Sequence, residues 1–196
     1  MQLVLQDSRN IEIRLLEFII NISSLSITIT TAAAIQCQSY SVNITNVTFV
    51  ERSRAVYVYS SSIITFTGRN IFEGNVAKQG GAIHCLDSRI TLLGMNLFID
   101  DAAVELDGST SPAAAGGAIY CDNSTIKINA SESTEFINNT AVSVGGAIAA
   151  YNSVLDIEGS VGFLKTQLHL MVELVSYTIQ MQHLEHLHLL MAIQLL

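Results

Sequence analysis

Apolar and polar residues alternate along much of this chain in short runs that end at Gly, Asn, Asp or Ser. In one stretch, Ile119 and Cys121 share one side of a run. Ile126 and Ile128 share one side of the run that follows. A period of two predicts half-buried β-strands, and the polar residues between the runs predict turns. Because the runs lack helical segments between them, we expect each strand to pair in parallel with an equivalent strand further along the chain.

Two short motifs return in a fixed order and define a repeat. Gly-Gly-Ala-Ile occurs at 80–83, 116–119 and 145–148, and Phe-x-x-Asn occurs at 72–75 and 136–139. A serine follows each glycine pair at the same spacing, at Ser88, Ser124 and Ser153. The unit recurs every roughly 26 to 29 residues, and a fixed period of this size is the signature of a stacked repeat array.

The register extends toward both ends of the chain. The phenylalanines that mark it are Phe18, Phe49, Phe72, Phe98, Phe136 and Phe163. We therefore predict an all-β parallel β-helix of about five coils over 1–165, the second coil, near Val56 to Ser62, being degenerate. Residues 106–115 contain the single Pro and are predicted to be an inserted surface loop. Residues 166–196 are predicted to form a separate tail.

These motifs resemble the polymorphic outer-membrane protein repeat of chlamydial autotransporters over roughly residues 34–165. The resemblance implies a right-handed, pectin-lyase-like β-helix that is exposed at the cell surface and often adhesive. Right-handed parallel connections are also the general preference. Three copies depart from Phe-x-x-Asn, ending in Arg52, Asp101 and Thr166.

The repeated residues are predicted to have structural roles. The phenylalanines would stack in a ladder, the asparagines would form buried turns, and the glycines would allow positive φ or close backbone approach at a corner. The residues concerned are Phe72, Asn75, Gly80, Gly81, Phe98, Asp101, Gly116, Gly117, Phe136, Asn139, Gly145 and Gly146.

The three cysteines fall at one offset within the repeat and predict one inward column. Cys85 and Cys121 would lie on adjacent coils, at a separation that a disulfide allows, although parallel side chains in register point poorly toward each other. Cys37 should lie two coils from Cys85. The two interpretations, a Cys85–Cys121 disulfide and buried small apolar side chains, both stay open.

Composition bears on the partners and on the location. The net charge is −8 with only nine Lys plus Arg, which argues against a nucleic-acid partner. No apolar stretch is long enough to span a membrane, and the first ten residues do not form a secretory signal. Six Asn-x-Ser/Thr sequons nevertheless suit a secreted glycoprotein, and a missing N-terminus would reconcile the two signals. The sequons are at Asn21, Asn43, Asn46, Asn123, Asn129 and Asn138.

A carbohydrate-active enzyme is the rival class for a β-helix, and it needs grouped carboxylates with a cation on one outer face. The candidates are Asp100, Asp101, Glu105 and Asp107, with His84 and Lys127 nearby in register. Because Asp100 and Asp101 occupy the Phe-x-x-Asn turn, a turn role is preferred. A calcium site from Asp101, Glu105 and Asp107 is an alternative whose spacing is not diagnostic. His84 lies singly on a strand and the other four histidines lie in the tail, so metal binding is not predicted.

The tail changes character after Lys165, because residues 164–196 contain no glycine. Leu168, Val172, Val175 and Ile179 fall near helical spacing and predict a helix that caps the repeats. The preferred alternative is a reading-frame slip near Thr166, since a shifted frame restores Gly-Gly-Ala and Phe-Asn at the repeat spacing. In that case the natural protein continues as further coils.

The sequence as a whole predicts a non-catalytic, extracellular or surface-exposed scaffold without a cofactor or metal. Its outer faces would contact a surface protein or a glycan. The residues predicted for that contact are Tyr57, Tyr59, Arg89, Tyr120 and Lys127. A misannotated fragment without independent function is the third interpretation.

Overall fold

The computed structural model describes residues 11–12, 19–28, 33–50, 53–105, 113–166, 168–170, 177–179 and 189–191, and side chains within 33–50, 53–105, 113–129 and 131–166. These residues form β-strands and turns and contain no helix. The strands are β1 (Ile11–Glu12), β2 (Ile19–Thr28), β3 (Ile35–Gln38), β4 (Ser41–Val50), β5 (Val56–Tyr59), β6 (Ile63–Thr67), β7 (Arg69–Glu73), β8 (Val76–Ala77), β9 (Ile83–Leu86), β10 (Arg89–Leu92), β11 (Met95–Ile99), β12 (Ala102–Ala103), β13 (Ile119–Asp122), β14 (Thr125–Ile137), β15 (Thr140–Ala141), β16 (Ile148–Tyr151), β17 (Val154–Leu164), β18 (Leu168–Leu170), β19 (Tyr177–Ile179) and β20 (Leu189–Met191).

Every described strand pair is parallel, and within 33–166 each strand pairs with its equivalent one repeat unit further on. One sheet has the order β1-β3-β5-β9-β13-β16. A second sheet has the order β10-β6-β4-β7-β11-β14-β17-β19, with β2 paired to β4. A third, short sheet has the order β15-β12-β8. This arrangement confirms the predicted all-β class with parallel strand pairing, and it is consistent with a β-helix or solenoid.

The register agrees with the alignment of the repeats. Ile83 pairs with Ile119, which pairs with Ile148, and each begins the strand after a Gly-Gly-Ala. The degenerate unit supplies β5, which lies between β3 and β9. Cys37 therefore lies two units from Cys85, as predicted, with Val58 between them. All three cysteines are buried and free, so the structure does not contain the Cys85–Cys121 disulfide.

The core contains the predicted aromatic ladder. Phe49, Phe72, Phe98, Phe136 and Phe163 stack in order, with successive ring centroids 4.9, 4.5, 4.8 and 5.1 Å apart and ring planes inclined by 11° or less. These distances match the spacing of neighbouring strands, so one phenylalanine per repeat unit is enough to build the column. The first four rings are buried completely or almost so, whereas Phe163 is partly buried.

The two glycines of each pair have different roles. The first glycine has positive φ, 61° at Gly80, 66° at Gly116 and 67° at Gly145. The second lies where backbones meet, since a Cβ on Gly117 would come within 2.1 Å of the Gly146 carbonyl oxygen. A Cβ on Gly81 would come within 2.3 Å of the Gly117 carbonyl oxygen. Positive φ and close approach were predicted for the pair, and the structure divides them between its members.

Buried polar side chains connect neighbouring units at the turns. The Oγ atoms of Ser88, Ser124 and Ser153 each accept a hydrogen bond from the backbone N–H of the corresponding serine one unit earlier, at 3.0 to 3.1 Å. Asn75, Asp101 and Asn139 form a second ladder, in which Asp101 lies at the turn position predicted for it. These contacts satisfy backbone groups that burial would otherwise leave unpaired.

The structure differs from the predicted helical tail in the residues that it describes. Leu168 lies in β18 and Ile179 in β19, and both are strand residues. Val172 and Val175 lie outside the described residues, as do 106–112 of the predicted loop and Phe18. Ala114 and Ala115, at the end of that loop, are buried, and Ala115 forms parallel bridges with Gln79 and Val144.

Candidate functional site

A row of aromatic side chains crosses the outside of the sheet that contains β5, β9, β13 and β16. Tyr57, His84 and Tyr120 occupy one register position on successive strands, and the two apolar neighbours of each point inward. Tyr59 and Tyr151 extend the row at its two ends. We call these five residues, Tyr57, Tyr59, His84, Tyr120 and Tyr151, the outer aromatic face.

The rings of this face contact one another continuously. Tyr57 stacks on Tyr59 with the ring centroids 4.7 Å apart, and the Tyr57–His84 centroid distance is 5.0 Å. His84 meets Tyr120 edge-on at 4.9 Å, and Tyr120 lies 5.5 Å from Tyr151. The face is therefore one connected aromatic surface that spans four strands.

Arg54 closes the Tyr57 end of the outer aromatic face. Its guanidinium lies 5.3 Å from the centre of the Tyr57 ring, and its Nε and a terminal nitrogen donate to the Gln79 carbonyl oxygen at 3.2 and 2.9 Å. Burial lowers the pKa of Arg54 from its ordinary value. Because Val56 pairs with Ile83, Arg54 occupies the register position of Gly81. The degenerate unit lacks the glycine pair and therefore places the cation of Arg54 beside the aromatic row. The alignment of the repeats gives the position of Arg54, but the sequence alone did not identify it as a neighbour of the aromatic residues.

His84 lies at the centre of the outer aromatic face, and its charge state decides how it contacts its neighbours. Burial, and next the charge of Arg54, lower its pKa to about 3. Its Nδ1 is buried without a hydrogen-bond partner among the described residues. The imidazole therefore contacts its neighbours as an uncharged ring near neutral pH.

Tyr120 is less accessible than the alternation predicted. It is only 8% exposed and packs with Ala115, Ala149 and Tyr151. Burial raises its pKa to about 12. Ala115 and the residues that bridge to it form a ridge beside the strand, and this ridge covers the tyrosine. Of the predicted contact tyrosines, Tyr57 and Tyr59 remain half-buried and present part of their rings to solvent.

The predicted cations Arg89 and Lys127 lie on the second sheet, apart from the outer aromatic face. Arg89 is exposed and lines an open groove of about 460 Å³ along the turns that join the two sheets. Asp87 and Asn123 also line this groove, and the Asn123 amide donates to Asp87 at 2.6 Å. Lys127 is held by Asp156 at 3.1 Å and by Glu158 at 3.3 Å. Asp156 is the first cause of the raised pKa of Lys127.

The candidate acids have different surroundings in the described residues. Asp101 is fully buried in the turn ladder, whereas Asp100 is exposed at positive φ, 55°. Glu105 pairs with Lys78 at 3.3 Å and accepts a hydrogen bond from the backbone N–H of Ala114. Asp107 lies outside the described residues, and so does any calcium site that needs it. Among the residues described, no three His, Cys, Asp or Glu side chains group as metal ligands.

The sequons are found mainly on exposed positions. Asn46, Asn123, Asn129 and Asn138 are exposed, and Asn43 is half-buried. The amides of three exposed members donate to carboxylates, Asn123 to Asp87, Asn129 to Glu158 and Asn138 to Asp100. The side chain of Asn21 lies outside the described residues, although its backbone belongs to β2.

Comparison with known families agrees with the motifs. The family model described as Chlamydia polymorphic membrane protein (Chlamydia_PMP) repeat matches residues 71–86 and 133–151. Each matched segment contains one Phe-x-x-Asn turn and one Gly-Gly-Ala-Ile corner. The match confirms the resemblance of the repeat at these two places in the chain. No curated protein and no solved structure matches the chain. In the described part of the chain, no apolar helix reaches the length needed to cross a membrane.

Proposed function

We propose that this chain is a section of a right-handed parallel β-helix exposed at the cell surface, and that it adheres to a ligand through the outer aromatic face without catalysis. The parallel pairing of each strand with its equivalent one unit on supports the β-helix. The matched repeat family supports the surface location.

The single observation that carries the adhesive role is the continuous row of rings on an outward face. In a repeat array the inside is closed by stacking, so outward aromatic side chains are not needed for the core. Tyrosines combine an apolar ring with a polar hydroxyl and are enriched at binding surfaces for that reason. Tyr57 and Tyr59 are the accessible members, and Tyr59 already orders its hydroxyl by donating to Gln38 at 3.1 Å.

A glycan is the ligand that this chemistry fits best. Sugar rings present apolar C–H faces that pack on aromatic rings, while their hydroxyls need hydrogen-bond donors and acceptors at the edge. The outer aromatic face supplies rings, and Gln38 beside Tyr59 supplies an amide. A surface protein is the other partner class, and it is distinguished by the experiment below.

Two observations support a non-catalytic function. Asp101 belongs to the buried turn ladder, and Lys78 neutralises Glu105. General acid and base chemistry on a glycan requires both groups within reach of the scissile bond, which a buried turn residue is not. Incubation of the chain with a panel of polysaccharides should release no oligosaccharide, and any release that Asp100→Asn abolishes would favour the enzyme class instead.

A printed glycan array tests the proposed ligand. The chain should bind a subset of glycans, and the Tyr57→Ser/Tyr59→Ser double variant should lose that signal. The Arg89→Ser/Lys127→Ser variant is the matched control, since it removes two exposed or half-exposed side chains from the other sheet and should keep the signal. Equal loss in both variants, or no glycan bound while a surface protein is captured, would contradict the glycan assignment.

The sequons offer a second readout of the surface location. We propose that the exposed members, Asn46, Asn123, Asn129 and Asn138, accept glycans if the chain is exported through a glycosylating compartment. Digestion with an amide-cleaving glycosidase should then increase its electrophoretic mobility. Unchanged mobility of the exported protein would exclude the modification.

A further inference from the structure

The Asn75, Asp101 and Asn139 ladder contains one acid among two amides, and the amides show what each position does. The Oδ1 of Asn139 accepts from the Asp101 backbone N–H at 2.9 Å, and its Nδ2 donates to the Phe98 carbonyl oxygen at 2.9 Å. Asn75 donates in the same way to the Phe49 carbonyl oxygen at 3.5 Å. The Asn139 amide therefore links a neighbouring N–H to the carbonyl of the phenylalanine one unit earlier, and Asn75 makes the second of these two contacts.

Asp101 makes the contact with the neighbouring N–H but has no partner at its second oxygen. Its Oδ1 accepts from the backbone N–H and the Nδ2 of Asn75 at 2.9 and 2.8 Å. Its Oδ2 is buried without a partner. Phe72 pairs with Phe98, which pairs with Phe136, so by register Oδ2 corresponds to the donating amide nitrogen of Asn139. The carbonyl that corresponds to that of Phe98 is the carbonyl of Phe72. Two oxygen acceptors pair only when one of them carries a proton.

We propose that Asp101 is a neutral carboxylic acid in the folded protein near neutral pH, and that its Oδ2–H donates to the carbonyl oxygen of Phe72. A proton taken from solvent then completes the ladder that amide hydrogens complete in the neighbouring units. The turn is a proton-dependent latch between repeat units, and it opens when the proton is lost in alkali.

The surroundings of Asp101 favour the neutral acid. Burial raises the pKa of its carboxyl group to about 8, and the two hydrogen bonds from Asn75 offset only part of that rise. The charged groups that act on it, Asp100 and Glu73, are both carboxylates and raise the pKa further. The ladder neighbours Asn75 and Asn139 carry no charge. A buried unpaired carboxylate would be costly here, whereas the acid satisfies both oxygens.

The sign of the pH dependence follows from the raised pKa. The unfolded chain releases the proton near pH 3.9, an ordinary value for Asp, whereas the folded protein keeps it to about pH 8. Stability from this group is therefore complete below the unfolded pKa and is lost as the pH rises through the folded pKa. The unfolding equilibrium constant rises about tenfold per pH unit over that interval and levels off above it. His84 acts with the opposite sign, so the effect of Asp101 must be measured as a difference.

Urea unfolding of the full chain and of Asp101→Asn from pH 4.5 to 9.5 provides that difference. The asparagine donates to the Phe72 carbonyl at every pH, so its unfolding constant lacks the Asp101 dependence. The ratio of the wild-type to the variant unfolding constant should rise about tenfold per pH unit and become level above pH 8. A ratio that stays constant across this range would overturn the proposal.

Two further measurements separate the latch from a general effect of charge. Asp100→Asn removes the exposed neighbouring carboxylate, and it should retain a rising profile close to that of the wild type. Infrared spectra of the folded chain at pH 6 should show the carbonyl stretch of a protonated carboxylic acid, and Asp101→Asn should lack that band. Absence of the band from the wild type, or its persistence in Asp101→Asn, would contradict the assignment.

Discussion

The protein carries two rows of aromatic rings, one inside and one outside, and they differ in order. Inside, the five phenylalanines stack with centroids 4.5 to 5.1 Å apart and planes within 11° of parallel. Outside, the rings of the outer aromatic face are 4.7 to 5.5 Å apart, but their planes are inclined by 22° to 74°. Strand pairing sets the spacing of the phenylalanines and also that of Tyr57, His84 and Tyr120, which are register partners.

The difference in ring orientation reflects different constraints on the two rows. The inner ring must fit an enclosed volume that recurs in every unit, so the same residue is required each time. The outer residues share no such enclosed volume, and they are Tyr57, His84 and Tyr120 at one register position. The scaffold therefore depends on the repeated interior, and the outward face is free to carry recognition.

The largest expected effect is on the inner row. Phe98→Ala should destabilise the chain by about 3 to 5 kcal/mol, because it removes a ring that is stacked on both sides and fully buried. Urea unfolding followed by circular dichroism measures this. Phe163→Ala is the comparison, since that ring is only partly buried and stacks on one described neighbour, and its cost should be clearly smaller. Equal costs would break the assignment of the ladder as the core.

The backbone that supports the inner row should be nearly as sensitive. Gly117→Ala should cost about 3 kcal/mol, because the new Cβ would overlap the carbonyl oxygens of Gly146 and Thr140. Gly162→Ala is the matched control, with only a side-chain contact at 3.5 Å. Similar unfolding midpoints for the two variants would contradict the close approach of the repeat units at Gly117.

The polar ladder at the corner should have a smaller effect. Ser88→Ala leaves the buried backbone N–H of Ser62 without its acceptor and should cost about 1 to 3 kcal/mol. Ser39→Ala removes an exposed hydroxyl that donates to the Ser60 carbonyl, and its effect should be within about 0.5 kcal/mol. Thermal unfolding of both variants distinguishes buried from exposed serine contacts.

In the outer aromatic face, the next largest effect on stability is the pH dependence of His84. Folding lowers the pKa of His84 to about 3. Below the ordinary pKa of His, the unfolded chain therefore binds a proton at this residue and the folded chain does not. The contribution of His84 to the free energy of unfolding is therefore complete above about pH 6.5 and is lost as the pH falls. At pH 5 the loss is about 1 to 2 kcal/mol. His84→Phe should remove this part of the acid sensitivity. An unchanged difference between pH 7 and pH 5 in that variant would show that His84 takes up the proton freely when folded.

Much of the inner row was predictable, because the repeated residues specify their own neighbours. Phe136 could be aligned with Phe163 although it lies 12 rather than 10 residues beyond its serine, and the structure places the two extra residues at an irregularity between Ala130 and Thr134. The corner glycines and the asparagine turns follow from the same register.

The outer row was less predictable, because it depends on residues outside the repeat. The burial of Tyr120 results from the ridge at Ala115, which follows an insertion of unpredictable course. Arg54 reaches Tyr57 only because the degenerate unit lacks a glycine at that position. Alternation assigns a side to each residue, but it does not reveal what covers that side.

The central claim is that the inner row holds the fold and the outer row binds. Two matched ring deletions test it most directly, Phe98→Leu inside and Tyr57→Leu outside, each measured for glycan-array signal per folded molecule and for urea midpoint. We expect Phe98→Leu to lower the urea midpoint and keep the glycan signal, and Tyr57→Leu to keep the midpoint and lose the signal. Loss of signal in Phe98→Leu with full signal in Tyr57→Leu would contradict it.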